Sequence, residues 1–584
     1  MPPKRTSSSS TSKRPSKRLR TGGGIGAASA IDGGAADTSR LIQAAALAER
    51  AGGGASYLSV RRQHYGVPSL KETSVQVAAQ GLFASVRIPP KDAEGGGAGA
   101  QKHRVGWDPD RDPARGEETK HLRAFIESLP VDIVNRLLRL VLDHAARSME
   151  EPNDQGVGVL AVAQLFFHPT TTRLSFPSLN SPAILIARIP QCTALADLDL
   201  SFHTSLRDSA LAKVLAQLPT LEKINLKGCT QVGDAALVAL SKATEQRLRV
   251  ANLSLTAATV KGLTSLLARC SHLEVLKLAN VALLNDKNVT KLLSDATDAA
   301  LGWKHIPLSR LKTLKLRSTD ITDSSIGRLL TLCALRLEHL DVSYTSLKSL
   351  DFVSSALHAL PEWRLEKLVA SGLPLSPATL EGFFRPLSER PEEERRRFKI
   401  LKLGSIPASS TKAPGLTDAV MAKVLPYLEK LDGLESVSLF QNWALGKLAH
   451  PLSRFIEVIG RRCIHLDLTL PVESYHLEAL LPPLSAEEGG DDAAVQAYEP
   501  PRLRTLVLDS SRITDAAAGA VAACTELQAL HVAETRISTK FLATVLASCP
   551  HLIALNLTSC RGIPVTQRRT FFEAWEKGEV VVTP

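Results

Sequence analysis

A leucine pattern that recurs along most of the chain constrains the fold more than any other feature. From about residue 170, L-x-x-L-x-L returns at residues 195, 221, 273, 311, 337, 365, 434, 503, 527 and 552, with weaker copies near 248, 398 and 463. Each copy holds a short strand followed by a helical stretch, and one such unit cannot bury its leucines alone. Because stacked copies share a continuous core, the sequence predicts an α/β solenoid of about 13 repeats.

Small polar or thiol side chains recur at fixed places in these repeats. Cys229 and Cys560 lie three residues after the last strand leucine, where Thr319 and Thr535 stand in other copies. We expect this side chain to satisfy the backbone of the neighbouring repeat. Buried thiols are also expected three residues before the first leucine, at Cys192, Cys270, Cys524 and Cys549.

The repeats resemble the cysteine-containing leucine-rich repeats of substrate receptors of cullin–RING ubiquitin ligases, including the leucine-rich F-box proteins. CTELQALHVAETRIS and CPHLIALNLTSCRGI carry the resemblance, which covers about residues 190–570. It implies a horseshoe whose concave sheet, roughly 60 Å along its arc, binds a protein or a long peptide. Residues between the strand leucines are expected to point into this concave face, namely Lys277, Lys315, Arg317, Asp341, Lys402 and His531. The candidate substrate-binding residues are Lys277, Lys315, Arg317, Asp341, Phe440, Trp443 and His531. Plain surface or packing roles are the alternative for each.

An isolated helical segment precedes the repeats, with the sequence VPSLKETSVQVAAQGLF at residues 67–83. SLKE is a capping box, which specifies the start of the helix. The segment resembles the elongin C-binding BC box, [STAP]-L-x-x-x-[CSA]-x-x-x-[AILV], matched here by Ser69, Leu70, Ser74 and Ala78. The resemblance implies that Leu70 enters a pocket of elongin C. Docking of the helix against the solenoid is the alternative.

A second apolar helix follows, and it includes LPVDIVNRLLRLVL. Leu129, Pro130, Ile133 and Leu137 match the cullin-box pattern Φ-P-x-x-Φ-x-x-x-Φ, and the stretch equally resembles the first half of an F-box. Either resemblance implies contact with a ligase adaptor, elongin C or the Skp adaptor, and through it with a cullin. A helix that only caps the open end of the solenoid is the alternative.

The N-terminal tail is rich in Ser, Lys, Arg and Gly, and a stretch of this composition is predicted to be disordered. Its two basic clusters resemble a bipartite nuclear import signal. They contain Lys4, Arg5, Lys13, Arg14, Lys17, Arg18 and Arg20. We therefore expect a nuclear protein, with an additional cytoplasmic pool or a solubilising tail as alternatives. Removing these seven charges from the net charge of +11 leaves +4, so direct nucleic-acid binding by the folded part is not expected.

Five segments are predicted along the chain. They are a disordered basic tail (1–36), a helical segment with the BC-box-like helix (37–88), a Gly-rich linker (89–119), an F-box-like or cullin-box-like helical cap (120–169) and the leucine-rich-repeat domain (170–584). No apolar run is long enough to span a bilayer, so no membrane contact is expected.

The sequence carries none of the catalytic motifs G-x-x-x-x-G-K-[ST], H-E-x-x-H or G-x-S-x-G. We expect no enzymatic activity, no cofactor and no metal site. The resemblance implies a non-catalytic receptor that holds target proteins for ubiquitination and proteasomal degradation. Three alternatives stay open: a nuclear interaction scaffold, a regulator similar to Ran GTPase activators, and a DNA-repair factor that contacts DNA directly.

Overall fold

The computed structural model describes residues 59–61, 116–150, 163–175, 183–301, 307–408, 415–482 and 499–576. All of these lie in one compact unit, Glu49–Pro584. Fifteen strands form one sheet in the order β1-β15-β14-β13-β12-β11-β10-β9-β8-β7-β6-β5-β4-β3-β2. They are β1 (Ser59–Arg61), β2 (Arg173–Ser175), β3 (Asp197–Asp199), β4 (Lys223–Asn225), β5 (Val250–Asn252), β6 (Val275–Lys277), β7 (Thr313–Lys315), β8 (His339–Asp341), β9 (Lys367–Val369), β10 (Ile400–Lys402), β11 (Ser436–Ser438), β12 (His465–Asp467), β13 (Thr505–Val507), β14 (Ala529–His531) and β15 (Ala554–Asn556).

Helices alternate with these strands along the described part of the chain. They are α1 (Gly116–Ser128), α2 (Val131–Glu150), α3 (Ala183–Arg188), α4 (Asp208–Leu215), α5 (Asp234–Thr244), α6 (Val260–Arg269), α7 (Asp286–Leu301), α8 (Asp323–Cys333), α9 (Asp351–His358), α10 (Pro377–Ser388), α11 (Glu392–Arg395), α12 (Asp418–Leu428), α13 (Ala449–Phe455), α14 (Ser474–Leu477), α15 (Ala518–Ala522), α16 (Thr539–Ser548) and α17 (Val565–Glu576).

The predicted repeat solenoid is confirmed. Each of the 13 leucine patterns supplies one strand from β3 to β15, and β2 adds a parallel strand that the pattern did not reveal. Neighbouring strands align without slippage, so that Leu276, Leu314 and Leu340 lie directly opposite one another. These leucines are buried in a core that runs through all the repeats. The core depends on stacking because every repeat buries its leucines against those of its neighbours.

A left-handed backbone residue ends the strand segment of nearly every repeat. The residue two positions after the last strand leucine has a positive φ in the repeats of β3 to β15, except in that of β12. Tyr344 (φ 56°) and Gly372 (φ 72°) occupy this position in successive repeats. The Tyr344 ring covers the α-carbon of Gly372, where any side chain would clash with it. Glycine is therefore needed at residue 372, whereas most repeats tolerate other residues at this turn.

The turn cysteines bridge repeats as predicted, but the turn threonines do not. The Sγ atoms of Cys229 and Cys560 lie 3.0 Å from the carbonyl oxygens of Leu200 and Val532 in the preceding repeats. Thr319 donates instead to a carbonyl of its own repeat, at 2.7 Å, because its shorter branched side chain reaches back only three residues. The expectation is wrong for the threonines.

All eight cysteines are buried, as expected for structural thiols. Burial raises the pKa of Cys229 to about 12 and that of Cys549 to about 11. The thiols are therefore protonated and chemically quiet at neutral pH.

Aspartates at helix starts link six of the repeats to the repeats that follow them. Asp418 is buried and accepts hydrogen bonds from the backbone N–H groups of Gly446, Lys447 and Leu448, at 2.9, 3.0 and 3.1 Å. The carboxylate thus satisfies three backbone donors of the following repeat, and the Gly446 N–H among them is buried. Asp208, Asp234, Asp286, Asp323 and Asp515 make comparable bonds to the repeats that follow them.

Helices α1 and α2 cover the first repeat. Their side chains Ile126, Leu137, Leu138 and Val141 are buried and belong to the same core as the leucines of the repeats. Helix α1 begins at Gly116, inside the stretch that was predicted to be a linker. The helical pair thus caps the end of the sheet that β2 occupies.

Strand β1 covers the opposite edge of the sheet. Ser59, Val60 and Arg61 pair antiparallel with Asn556, Leu555 and Ala554 of β15. No strand was predicted here, within the segment 37–88, because three residues carry no usable strand pattern and their partner lies almost 500 positions away. The pairing satisfies backbone groups that an open edge strand would expose.

This edge pairing predicts a specific cross-link. Because Ser59 and Asn556 are directly paired, we expect the double variant Ser59→Cys/Asn556→Cys to form an intramolecular disulfide under mild oxidation. The measurement is peptide mapping by mass spectrometry, with Ser59→Cys/Asn252→Cys as the control because Asn252 lies on β5. A linked 59–252 pair, or an unlinked 59–556 pair, would refute the pairing.

Candidate functional site

The predicted BC-box residues lie outside the described residues. Ser69, Leu70, Ser74 and Ala78 therefore remain a prediction from the sequence. The same holds for the basic residues Lys4, Arg5, Lys13, Arg14, Lys17, Arg18 and Arg20.

The four residues predicted on the cap helix have different environments. Pro130 is exposed, and Leu129 and Ile133 are half-buried against the core. Leu137 is fully buried and packs inside the cap. An adaptor would therefore reach Leu137 only if the cap opened. We call the turn between α1 and α2, which contains Pro130, the corner of the cap, and Pro130 is accessible there in the folded state.

Two apolar side chains that the sequence pattern did not select are exposed at this corner. Phe125 near the end of α1 is 43% exposed, and Val131 at the start of α2 is 38% exposed. Ile126, the neighbour of Phe125, is buried in the core, because residues one position apart on a helix face different directions. A helical-wheel projection of α1 could have shown that Phe125 lies off the buried face.

The concave face of the sheet is built from the outer residues of each strand triplet. In most triplets the middle residue is buried and the first and third are half-exposed, as in β6 and β8. Alternation along a strand places these outer side chains on the face away from the helices. The predicted residues Lys277, Lys315, Asp341, Lys402 and His531 all occupy such positions.

Lysines cluster on the central strands of this face. Lys277 and Lys315 are directly opposite each other on β6 and β7, and Lys402 lies on β10. Lys367, the first residue of β9, joins them and was not among the predicted residues. We call Lys277, Lys315, Lys367 and Lys402 the lysine cluster.

Burial and the neighbouring positive charges both lower the pKa of two lysines in the lysine cluster. Burial, followed by repulsion from Lys315 and Lys227, lowers the pKa of Lys277. Burial, followed by repulsion from Lys315 and Lys402, likewise lowers the pKa of Lys367. An anionic ligand would relieve this repulsion.

The predicted residues beyond the strands line the rim of the concave face. The Arg317 guanidinium is exposed and stacks over the Tyr344 ring, with 4.9 Å between the guanidinium carbon and the ring centroid. Phe440 packs over Gly404, so it is a packing residue as well as a half-exposed one. Trp443 is 53% exposed and remains a candidate anchor for a partner.

Asn442, between these two aromatic residues, has a role that the sequence analysis missed. Its side-chain amide donates to the carbonyl oxygens of Leu403 and Leu439, at 2.7 and 2.8 Å. It occupies the position of Cys229 in its own repeat and joins two repeats. The pattern L-x-x-V-x-L-x-x-N that starts at Leu434 is the signal that could have identified it.

No group of His, Cys, Asp and Glu side chains among the described residues could hold a metal ion. In the same part of the chain, no helix has the length and apolar character needed to cross a membrane.

The sheet defines the chain as a leucine-rich-repeat solenoid. No protein-family model matches it, and no curated protein sequence matches it. Similar solved structures include the complex of Rad7 and Elc1 from yeast, with 15% identity and a TM-score of 0.45 over 86% of this chain and 96% of that chain. An internalin from Listeria monocytogenes shares 14% identity, with a TM-score of 0.31 over 73% of this chain and 91% of that chain. The plant peptide hormone receptor RGFR1, solved with RGF2, shares 12% identity, with a TM-score of 0.25 over 69% and 72%.

Proposed function

We propose that this chain is a non-catalytic substrate receptor of a cullin–RING ubiquitin ligase. The observation that carries the proposal is the combination, in one chain, of an open fourteen-strand parallel surface with an upstream BC-box-like motif. The surface would hold the target protein, here called the client, and the motif would bind elongin C. A scaffold without a ligase role is the competing function, and it would need the surface but not the motif.

The client-binding half of this role is supported by the accessible polar face of the sheet. A leucine-rich-repeat sheet of this length offers a rigid surface on which side chains from many repeats contact one partner. Half-exposed side chains on strands, such as Lys315 and Asp341, are held in place by the backbone pairing beneath them. Such pre-organisation lowers the entropy cost of binding.

The adaptor-binding half is supported by two apolar features. Leu70 would insert into an elongin C pocket, as the resemblance implies. The exposed corner formed by Phe125, Pro130 and Val131 would supply a second contact, to a cullin or to the Skp adaptor. Exposed apolar residues at the end of a soluble domain are typical of protein–protein contacts.

The receptor itself would perform no chemistry. It would raise the rate of ubiquitin transfer by holding a client lysine near the charged partner enzyme, so that a bimolecular reaction proceeds as if it were intramolecular. The basic clusters of the tail would direct the complex to the nucleus.

Binding of elongin C to the full chain tests this function. We expect Leu70→Asp to weaken binding at least about 30-fold, because the charge would enter an apolar pocket at the centre of the contact. Val75→Asp is the matched control, since residue 75 is a free position of the motif. Isothermal titration calorimetry measures both variants, with the Skp adaptor titrated in parallel.

Two results would contradict the proposal. One is that neither elongin C nor the Skp adaptor binds the wild-type chain. The other is that Leu70→Asp and Val75→Asp weaken elongin C binding equally, which would mean that the segment is only generally sensitive to charge. Either result would favour the scaffold function.

A further inference from the structure

We propose that the lysine cluster on the concave face binds an acidic segment of a client protein, a run of Asp and Glu side chains crossing strands β6 to β10. This inference rests on the proposed role of the arc as the client-binding surface, and it does not require the adaptor motif. It assigns a chemical class to the client.

The register of the sheet concentrates the positive charge. Lys277 and Lys315 are direct partners on adjacent strands, about 4.8 Å apart. Lys402 aligns, through Val369, with Asp341 and hence with Lys315 on the same row of third positions. Lys367 lies on the parallel row of first positions, opposite Ile400. Four ammonium groups therefore face one surface, with Asp341 as the carboxylate that lies in register among them.

The charges just before the strands are arranged differently. There, Glu274 forms ion pairs with Arg249 (3.6 Å) and Lys312 (3.4 Å), and Glu435 pairs with Lys399 at 3.7 Å. Among the described residues, none of the four lysines of the cluster forms an ion pair. Basic residues directly before the strands are thus paired with carboxylates, whereas the four lysines within the strands are open to a ligand.

The rim adds a second type of anion-binding group. Arg317, two residues after β7, is exposed, and its guanidinium carbon lies 4.9 Å from the centroid of the Tyr344 ring. A planar guanidinium binds a carboxylate through two parallel N–H bonds. Arg317 would therefore orient one carboxylate of the segment while the lysines attract the others.

The dimensions of the cluster set the length of the segment. Four strand spacings separate β6 from β10, which corresponds to about 19 Å. An extended peptide rises about 3.3 Å per residue, so about six residues cross the cluster. A short acidic run on a client protein has this length.

Carboxylates flank the cluster and favour a peptide over a nucleic acid. Asp197 and Asp199 lie on β3, Asp467 lies on β12, and Asp509 follows β13. A duplex lying along the arc carries a phosphate charge about every 1.7 Å of its axis, so its phosphates beyond the cluster would meet these acidic strands. A peptide placed across β6 to β10 would meet the four lysines and would not reach the acidic residues of β3, β12 and β13; Asp341 is the carboxylate named here that it would pass.

Fluorescence anisotropy with the full chain tests the inference. The probe is a fluorescein-labelled peptide with six consecutive Glu residues between Gly-Ser flanks, at low and at physiological salt. We expect binding that weakens with salt, and a loss of at least about tenfold in Lys277→Gln/Lys315→Gln/Lys367→Gln/Lys402→Gln. A milder variant, Lys315→Gln/Lys402→Gln, is measured in parallel in case the fourfold variant does not fold.

The matched control removes four positive charges from the helical side of the repeats. Lys213→Gln/Lys242→Gln/Lys261→Gln/Lys423→Gln changes exposed side chains and gives the same net charge. We expect its affinity for the peptide to stay within about twofold of wild type, because screening by salt limits the influence of distant charges. A Lys→Gln change in the cluster should also leave elongin C binding unaltered.

Several outcomes would overturn the inference. These are absence of peptide binding, equal losses in the cluster and control variants, and tighter binding of an oligonucleotide of equal charge. Failure of the peptide with intact elongin C binding would refute the acidic client and leave the receptor function standing. Peptide binding without elongin C binding would support the inference and refute the receptor function.

Discussion

Replacing Trp363 with alanine is expected to lower the free energy of unfolding by about 3–5 kcal/mol. The indole is 1% exposed and lies between two repeats, with ring centroids 5.0 Å from His358, 5.9 Å from Phe383 and 6.3 Å from Phe398. Its Nε1–H donates to the Leu365 carbonyl at 2.8 Å. The substitution would leave a large cavity and remove that donor.

Denaturant titration followed by far-UV circular dichroism measures this effect, with Trp443→Ala as the control. Trp443 is 53% exposed, so its loss should change the free energy of unfolding by less than about 0.5 kcal/mol. Equal effects of the two substitutions would mean that the aromatic cluster around Trp363 does not stabilise the junction of these repeats.

Replacing Asp418 with alanine is expected to lower the free energy of unfolding by about 3 kcal/mol, because three backbone donors of the next repeat lose their acceptor. Hydrogen exchange should show the largest loss of protection at Gly446, Lys447 and Leu448, which lose these bonds directly. Repeats contact only their neighbours, so distant repeats should keep their protection.

Asp351→Ala is the matched control for this prediction. Asp351 also stands at a helix start, but its side chain is exposed. Its removal should cost only the favourable interaction with the helix dipole, about 0.5 kcal/mol. A similar cost for both aspartates would show that the link between repeats contributes nothing beyond the helix dipole.

The strands and the core could be predicted because one physical constraint acts on every repeat. Leucines at fixed spacing must be buried together, so residues such as Leu276 and Leu555 mark strand centres without reference to any partner. The same constraint located the buried thiols, since Cys229 and Cys549 occupy fixed positions within the repeat.

Features that depend on a distant partner could not be predicted in this way. Strand β1 exists through its pairing with β15, and its three residues have no pattern of their own. Asp418 resembles any helix-start aspartate until the backbone of the next repeat is placed beside it. Leu137 matched an adaptor motif, but the same apolar character also suits the core, and a linear pattern does not distinguish the two.

The lysine cluster could be predicted only in part. Alternation identified Lys277, Lys315 and Lys402 as facing the concave side, which the structure reproduces. Their concentration depends on strand register, and on Lys367 from the other row. The sequence therefore predicted the residues but not the charge density that distinguishes this surface from an ordinary one.

Affinity purification from cells of the native organism, followed by mass spectrometry, tests the proposed receptor function most directly, using the intact chain, Leu70→Asp and Val75→Asp. We predict that the intact chain and Val75→Asp capture elongin C and a cullin, and that Leu70→Asp loses both while it retains clients on the arc. Capture of clients without any adaptor or cullin by the intact chain would contradict the account.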